Sequence, residues 1–513
     1  MNGAEVLLQT AIDAGLDICF ANPGTTEMPL VAALDSAPGI RAVLGLQENV
    51  TTGAADGYAR MAGKPALTLL HLGPGFANGI SNLHNARRAR TPVINLIGEH
   101  ATWHADADAP LASDIESLAR PVSGWVRRSD SAAGMAGDMA EAIAAATSGS
   151  GQGASMILPH DLQLADAGTG PAKAGFSSRA AVAEERVVAA ADALAGENAL
   201  LFLGNAALSE AGLKAASRIA QASGCGLMSQ TSNARVERGG TLPHFAKLPY
   251  LPEMALEALT GKRVLVLAGA LSPVGFFGWP GMPSSMVPEG TETVTLALPD
   301  EDIVAALEAL ADRLNAPAYE PPAPQGAPEL PEGALTSETL CGTIAALQPE
   351  NAILANEAIT SGWSYHQQSK SAPRFTELSI TGGAIGCGPS LALGAALAAP
   401  DRPVINLQAD GSGLYTPQAL WTQAREGAKV ITVICSNRRY NILQVELARA
   451  GLNRPGPNAQ SLTELDHPAV DWPVVARGFG VEACAVERAD ELADALRQAF
   501  ARCGPTLIEA VIS

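Results

Sequence analysis

Short apolar runs recur along the chain, each followed by a small-polar or glycine-rich cluster and then by a longer amphipathic stretch. In the N-terminal third the runs are Ile18–Ala21, Ala42–Leu46, Ala66–Leu70 and Val93–Ile97. In the middle they are Asn198–Asn205 and Arg263–Ala270, and in the C-terminal third Ala352–Glu357, Val404–Gln408 and Lys429–Cys435. Runs this short, bounded by turn residues, predict buried strands. The stretches between them predict helices, among them Gly3–Ala14, Thr51–Ala62, Ser390–Ala398 and Thr416–Glu426. Strands alternating with helices mean parallel sheets joined by crossover helices.

Two Pro/Gly/Ala-rich stretches without periodicity, Asp166–Ser178 and Asn315–Gly333, interrupt the pattern. They divide the chain into three expected domains, 1–165, 180–315 and 334–513, each an α/β layer with a doubly wound parallel sheet. There is no short-period repeat.

Composition narrows the function. Hydrophobic residues are 47% of the 513, so large cores are easily buried, and the scarcity of aromatics (4%) suits layers packed through Ala and Gly. A formal charge of −19 argues against bulk electrostatic binding to nucleic acid or an anionic membrane and favours a small-molecule ligand. Seven scattered cysteines without a Cys-x-x-Cys pair argue against a structural zinc site and point to a reducing, cytoplasmic setting. The N-terminus carries no basic, apolar signal sequence, and no apolar stretch is long enough to span a bilayer.

Candidate chemistry concentrates after the strands. Asp410 follows one apolar run and is succeeded by Gly411-Ser412-Gly413; Asn437 follows the next run. Ligands of open α/β sheets bind beyond the carboxyl ends of the strands, so the two residues are expected to meet at one sheet edge. A carboxylate and an amide oxygen are hard ligands suited to Mg²⁺. Amides at a helix start attract anions. The pair reads as a metal–diphosphate clamp. In the first third, three strand ends present polar residues: Thr25/Thr26, with either threonine expected to cap the next helix, Glu48, expected to be buried, and His71.

The clamp resembles the thiamin diphosphate (ThDP) motif, Gly-Asp-Gly followed at a set distance by Asn-Asn, with Ala409 in place of the first Gly and Ser436 in place of the first Asn. Arg438 and Arg439 are bulkier than the residues usual in that turn. Asn22-Pro-Gly-Thr, Glu48 with Ala54-Ala-Asp-Gly-Tyr-Ala-Arg60, and Gly73-Pro-Gly75 with Asn78 and Asn82 resemble the pyrimidine-binding domain of the same family. The likeness runs through the whole chain in the order pyrimidine, central, diphosphate. It is similar to acetolactate synthase large subunits and to benzoylformate decarboxylases.

The resemblance implies a set of roles. Asp410, Asn437 and the carbonyl of Arg439 are the expected Mg²⁺ ligands. Gly383, Ile385, Gly411, Ser412, Tyr440 and Thr360 are expected at the cofactor, with Ile385 propping it into a bent shape. Glu48 is expected to activate its aminopyrimidine, while His71 and Thr25 are expected to work on the substrate side. Phe276 or Phe277 stands about where benzoylformate decarboxylases carry a second catalytic His, and FAD is not expected in the central domain. The implied reaction is decarboxylation of a 2-oxo acid through a ThDP enamine, which is protonated to an aldehyde or transferred to a second carbonyl. A homodimer or homotetramer with sites between subunits is implied.

Two other readings follow from the same residues: an acetolactate synthase-type carboligase, and a cofactor-binding homologue without activity, which the altered motif positions would suit. A nicotinamide dehydrogenase is disfavoured by the missing Gly-x-Gly-x-x-Gly.

Overall fold

In the computed structural model, which describes every residue except 324, 325, 327 and 513, the apolar runs are strands and the chain divides into two compact units. One comprises Met1–Ser177, Pro328–Ser369 and Ile380–Ser513; the other Ser178–Ala327 and Lys370–Ser379. The first contains two sheets. The N-terminal one is built from β1 (Ile18–Asn22), β2 (Arg41–Leu44), β3 (Ala66–Leu70), β4 (Val93–Glu99), β5 (Trp125–Arg128) and β6 (Gly153–Pro159), in the order β2-β1-β3-β4-β6-β5. Every pairing in it is parallel.

The second unit holds β7 (Ala199–Leu203), β8 (Gly226–Ser229), β9 (Val236–Arg238), β10 (Ala246–Lys247), β11 (Val264–Ala268) and β12 (Glu292–Ala297). Five of these form a parallel sheet, β10-β8-β7-β11-β12. β9 pairs antiparallel with β14 (Phe375–Ser379), which is also in this unit. Leu201, Leu203, Val264 and Val266 are fully buried against the helices of one face. Phe202, Leu265 and Leu267 are buried on the other, as a doubly wound sheet requires.

In the C-terminal part of the first unit, β13 (Ala352–Glu357), β15 (Val404–Ala409), β16 (Val430–Ser436), β17 (Glu482–Val486) and β18 (Thr506–Val511) run parallel in the order β17-β18-β16-β15-β13. The pairing Ala409↔Cys435 sets the ends of β15 and β16 side by side.

Two of the small-residue helices carry a packing function that their composition foreshadows. Helix α1 (Glu48–Ala62) lies against helix α3 (Gly388–Ala398); helix α2 (Leu72–Ala89) falls between them in sequence. A Cβ on Gly394 would sit 1.9 Å from the carbonyl oxygen of Ala54, and one on Gly57 2.0 Å from that of Leu391. Only glycine permits backbones this close. The seam fastens the N-terminal sheet to the C-terminal sheet of the same unit.

Two of the boundaries that differ from the sequence expectation have a plain local cause. The helix expected from Thr51 starts at Glu48, because the Gln47 side chain accepts the N–H groups of Asn49 and Val50 at 2.6 and 3.3 Å and caps it earlier. The helix expected from Thr416 begins only at Ala419, after turns through Pro417. Among the described residues no helix is long and apolar enough to cross a membrane.

Candidate active site

At the carboxyl edge of the N-terminal sheet the chain leaves β1 through Pro23-Gly24 into a 3-10 turn, Thr25–Glu27. Neither threonine caps it. The cap is Gly24, whose N–H donates to Glu27 Oε2 at 2.7 Å. Glu27 is fully buried. A buried carboxylate is costly unless its oxygens are bonded, and three groups bond this one: Gly24 N–H, Thr26 Oγ1 at 2.6 Å to Oε1, and His71 Nδ1 at 2.7 Å to Oε2.

His71 immediately precedes α2 without a side-chain cap bond, and its side chain is 24% exposed. With Nδ1–H donating to Glu27, the neutral ring leaves the Nε2 lone pair free. A Cβ on Gly24 would lie 2.3 Å from His71 Nδ1, so glycine is required for the ring to dock there. Thr26 Oγ1 is 3.4 Å from the same nitrogen, whereas Thr25 is exposed.

Glu48 is half-buried, not buried as expected. It occupies the first position of α1, so its side chain leaves the helix end instead of entering the sheet. Asn78 Nδ2 donates to its Oε2 at 3.1 Å. A Cβ on Gly75 would be 3.2 Å from both Glu48 Oε1 and His71 Cβ, so Glu48 and His71 meet at one glycine.

The second cluster lies where β15 and β16 end. Asp410 Oδ2 accepts the N–H of Arg438 at 2.6 Å, and Oδ1 accepts that of Gly411 at 2.8 Å. Burial, leaving Asp410 5% exposed, pushes its carboxyl above the ordinary carboxylate range, and the two N–H bonds only partly offset this. Asn437 Oδ1 accepts the N–H of Arg439 at 3.0 Å. Arg438 is left-handed (φ 57°). The loop is pinned by Leu465 N–H to the Arg438 carbonyl at 2.7 Å and by Tyr440 N–H to the Thr463 carbonyl at 2.8 Å.

Gly411 packs under the Tyr440 ring, where a Cβ would approach to 2.4 Å. Ser412 is buried and takes a hydrogen bond from Gln408 Nε2. Thr360 Oγ1, beyond the end of β13, accepts from Asn441 Nδ2 at 3.2 Å. Carboxylate, amide and backbone carbonyl oxygens on one loop pair are a ligand set that fits Mg²⁺, an ion that keeps further positions for phosphate oxygens.

The glycine-rich segment before α3 is held from α2. Gly382 N–H donates to Asn85 Oδ1 at 3.1 Å, and Asn85 Nδ2 donates to the Ala384 carbonyl at 2.7 Å. Gly383 has φ 75° and is exposed; Ile385 is half-buried. Behind it the fully buried Glu357 accepts the N–H groups of Gly386 and Gly388. Burial pushes the Glu357 carboxyl up.

The expected residues therefore form two clusters: Glu48, His71 and Thr25 at the first sheet, and Asp410, Gly411, Ser412, Asn437, Arg439, Tyr440 and Thr360 at the other. No hydrogen bond among the described residues joins Glu48 or His71 to Asp410 or Asn437. Glu27 and Glu357 are the residues sequence reasoning passed over, and Thr26 was named only as a possible helix cap. Their only signal was position, each falling at or just beyond a strand end. Phe276 and Phe277 are 47% and 56% exposed in the second unit, their rings 5.0 Å apart.

Comparison with known proteins bears on these clusters directly. Residues 1–118 match the family model "Thiamine pyrophosphate enzyme, N-terminal TPP binding domain", and residues 360–510 match the corresponding C-terminal TPP binding domain. A Mycobacterium tuberculosis protein carrying the name of an acetolactate synthase large subunit, IlvX, is 49% identical over 100% of this chain and 99% of its own. Benzoylformate decarboxylase of Pseudomonas aeruginosa is 29% identical over 96% of each. Among solved structures, a Rhodococcus jostii ThDP-dependent 4-hydroxybenzoylformate decarboxylase superposes with a TM-score of 0.86 at 23% identity, covering 100% of this chain and 99% of that one.

Proposed function

The chain belongs to the thiamine pyrophosphate enzyme family, with decarboxylases and acetolactate synthases among its relatives, and on that premise we propose that it decarboxylates a 2-oxo acid with ThDP and Mg²⁺ bound. Asp410, Asn437 and the Arg439 carbonyl would hold the metal. Gly411, Ser412, Thr360 and Tyr440 surround the diphosphate position, Gly383 offers backbone to the ring, and Ile385 supports it. Glu48 would bond the aminopyrimidine. When bound, ThDP supplies a nucleophilic carbon for the substrate carbonyl and an electron sink for the pair that CO₂ leaves behind.

The chain's own contribution is proton control and positioning. His71 Nε2 can take up or deliver a proton beside Glu48, and Glu27 fixes which nitrogen does so. Thr25 offers its hydroxyl to the substrate carboxylate, while the Thr26 hydroxyl proton goes to Glu27. The observation that carries this reading is the Glu27–His71 pair at the carboxyl edge, in the same turn region as Glu48. The reading includes an assembly of two or four copies, in which the first-sheet cluster of one copy serves the clamp of another. The seven cysteines without disulfides suit a cytoplasmic protein, and the second unit has no role as a flavin site in this reading.

A carboligase that joins two 2-oxo acids is the second reading, favoured by the name of the relative at 49% identity. CO₂ release measured over a panel of aliphatic and aromatic 2-oxo acids tests the proposal, and product analysis separates aldehyde from hydroxyketone. No CO₂ from any acid, with ThDP and Mg²⁺ demonstrably bound, would leave a cofactor-binding homologue without this activity.

A further inference from the structure

Decarboxylation of a 2-oxo acid to an aldehyde replaces the bond to CO₂ by a bond to hydrogen, so one proton from water ends on the former carbonyl carbon. A second proton is lent to the carbonyl oxygen while that carbon is saturated, and is taken back as the product leaves. Proton traffic at two atoms suits two carriers, and imidazole is the side chain that exchanges protons near neutrality. His71 accounts for one.

A second imidazole is tied to the same turn. In the strand order β3-β4-β6 the chain reaches His71, Gly98 and His160 at or just past the carboxyl ends. The pairings Leu70↔Ile97 and Gly98↔Leu158 set these ends side by side. The Thr25–Glu27 turn rests on them. A Cβ on Gly98 would be 1.6 Å from Glu27 Oε1 and 2.8 Å from Thr26 Oγ1, so a glycine is required under the turn. Glu27 bonds His71 Nδ1 at 2.7 Å, after the strand on one flank of β4. The Thr26 carbonyl bonds His160 Nδ1 at 3.2 Å and Gln163 Nε2 at 3.1 Å, after the strand on the other flank.

A carbonyl oxygen only accepts, so His160 Nδ1 carries its hydrogen and the neutral ring holds a lone pair at Nε2. His71 has the same tautomer, fixed by the next residue of the same turn. His160 is half-buried, and its Nε2 makes no hydrogen bond with any described residue. By contrast Nε2 of His100, just past β4, is sealed from solvent.

We propose that His160 is a second proton-transfer residue of the decarboxylation, acting with His71 at the Thr26–Glu27 turn. The inference rests on the functional reading given above. It gives the turn a purpose: two consecutive residues set the tautomers of two histidines, each left with a bare Nε2 at one sheet edge.

The test uses the protein loaded with ThDP and Mg²⁺, a 2-oxo acid that it turns over, and the variants His160→Asn and His160→Ala. Asparagine carries an NH₂ group near the place of Nδ1 and can keep the bond to the Thr26 carbonyl, but it cannot exchange protons with substrate. Both variants should lower kcat about 100-fold with little change in KM. Added imidazole should restore part of the kcat of His160→Ala. In ¹⁵N NMR spectra of the wild type, the imidazole signals lost in His160→Asn should show hydrogen on Nδ1 and none on Nε2. Circular dichroism verifies folding of each variant. Wild-type kcat in His160→Asn would make His160 a structural tie and overturn the proposal. So would hydrogen on Nε2 with Nδ1 bare, or a slow His160→Ala that imidazole leaves slow. Unchanged variants beside an active wild type refute this inference alone. If the loaded wild type releases CO₂ from no 2-oxo acid, the functional reading fails and the inference falls with it.

Discussion

Asp410→Asn separates the cost of the buried carboxylate from its use. The side chain is 5% exposed and its two oxygens take the N–H groups of Gly411 and Arg438. Asparagine keeps one acceptor and turns an NH₂ toward the other donor. The lost charge-assisted bond costs about 1.5–3 kcal/mol, and removal of a buried charge offsets part of it. The unloaded variant should therefore melt within a few degrees of the wild type. The loaded proteins should differ more. Ligands at 100 times their dissociation constant stabilise by about 2.7 kcal/mol, worth about 5–10 °C for a domain of about 200 residues. Scanning calorimetry with Mg²⁺ alone, ThDP alone and both should raise the wild-type melting temperature only with both, and leave Asp410→Asn unmoved. An equal rise in the variant would refute the assignment of Asp410 to the metal.

The same residue gives a pH signature. Its carboxyl is raised in the folded chain, so between its unfolded and folded values the folded state holds the extra proton, and unloaded stability from this group falls as pH rises through that window. Metal competes with that proton, so Mg²⁺ affinity should climb as pH rises through the folded value; a flat profile in calorimetric titrations argues against Asp410 as the ligand. Glu27→Gln should keep the fold and lower turnover about ten-fold or more, with the His71 tautomer changed in ¹⁵N NMR spectra; wild-type turnover with an altered tautomer would dismiss His71 from proton transfer. Gly394→Ala drives a Cβ to 1.9 Å from the Ala54 carbonyl and should destabilise by about 1–3 kcal/mol or more in denaturant melts; a neutral effect would mean the seam is looser than described.

Strand positions were legible because buried parallel strands leave unbroken apolar runs such as Val404–Gln408 and Lys429–Cys435. Candidate site residues were legible where they follow such runs, as Asp410 and Asn437 do. Burial of a charged side chain was harder. Glu48 was read as buried from its apolar neighbours, yet it heads α1 and emerges from the helix end, because Gln47 supplies a cap that the sequence does not advertise. Glu27 was passed over for the opposite reason. It sits in a three-residue turn with no periodicity, and its burial depends on His71, 44 residues away. Thr25 was chosen over Thr26 from the family resemblance, whereas the hydroxyl that meets the histidine is that of Thr26.

The glycine seam between α1 and α3 has a consequence for how the chain comes to be folded. Asn82 and Ser390, beside that seam, are 308 positions apart. During synthesis the N-terminal sheet emerges long before its partner helix exists, with Gly53, Gly57 and the carbonyls of Ala54 facing nothing. Closure of so long a loop is slow, and a half-made chain with an open glycine-rich face is exposed to capture by other nascent chains. The docking step, not the formation of either sheet, would then set the pace of maturation, and chaperone dependence in the cell should follow the seam residues more closely than those at the clamp.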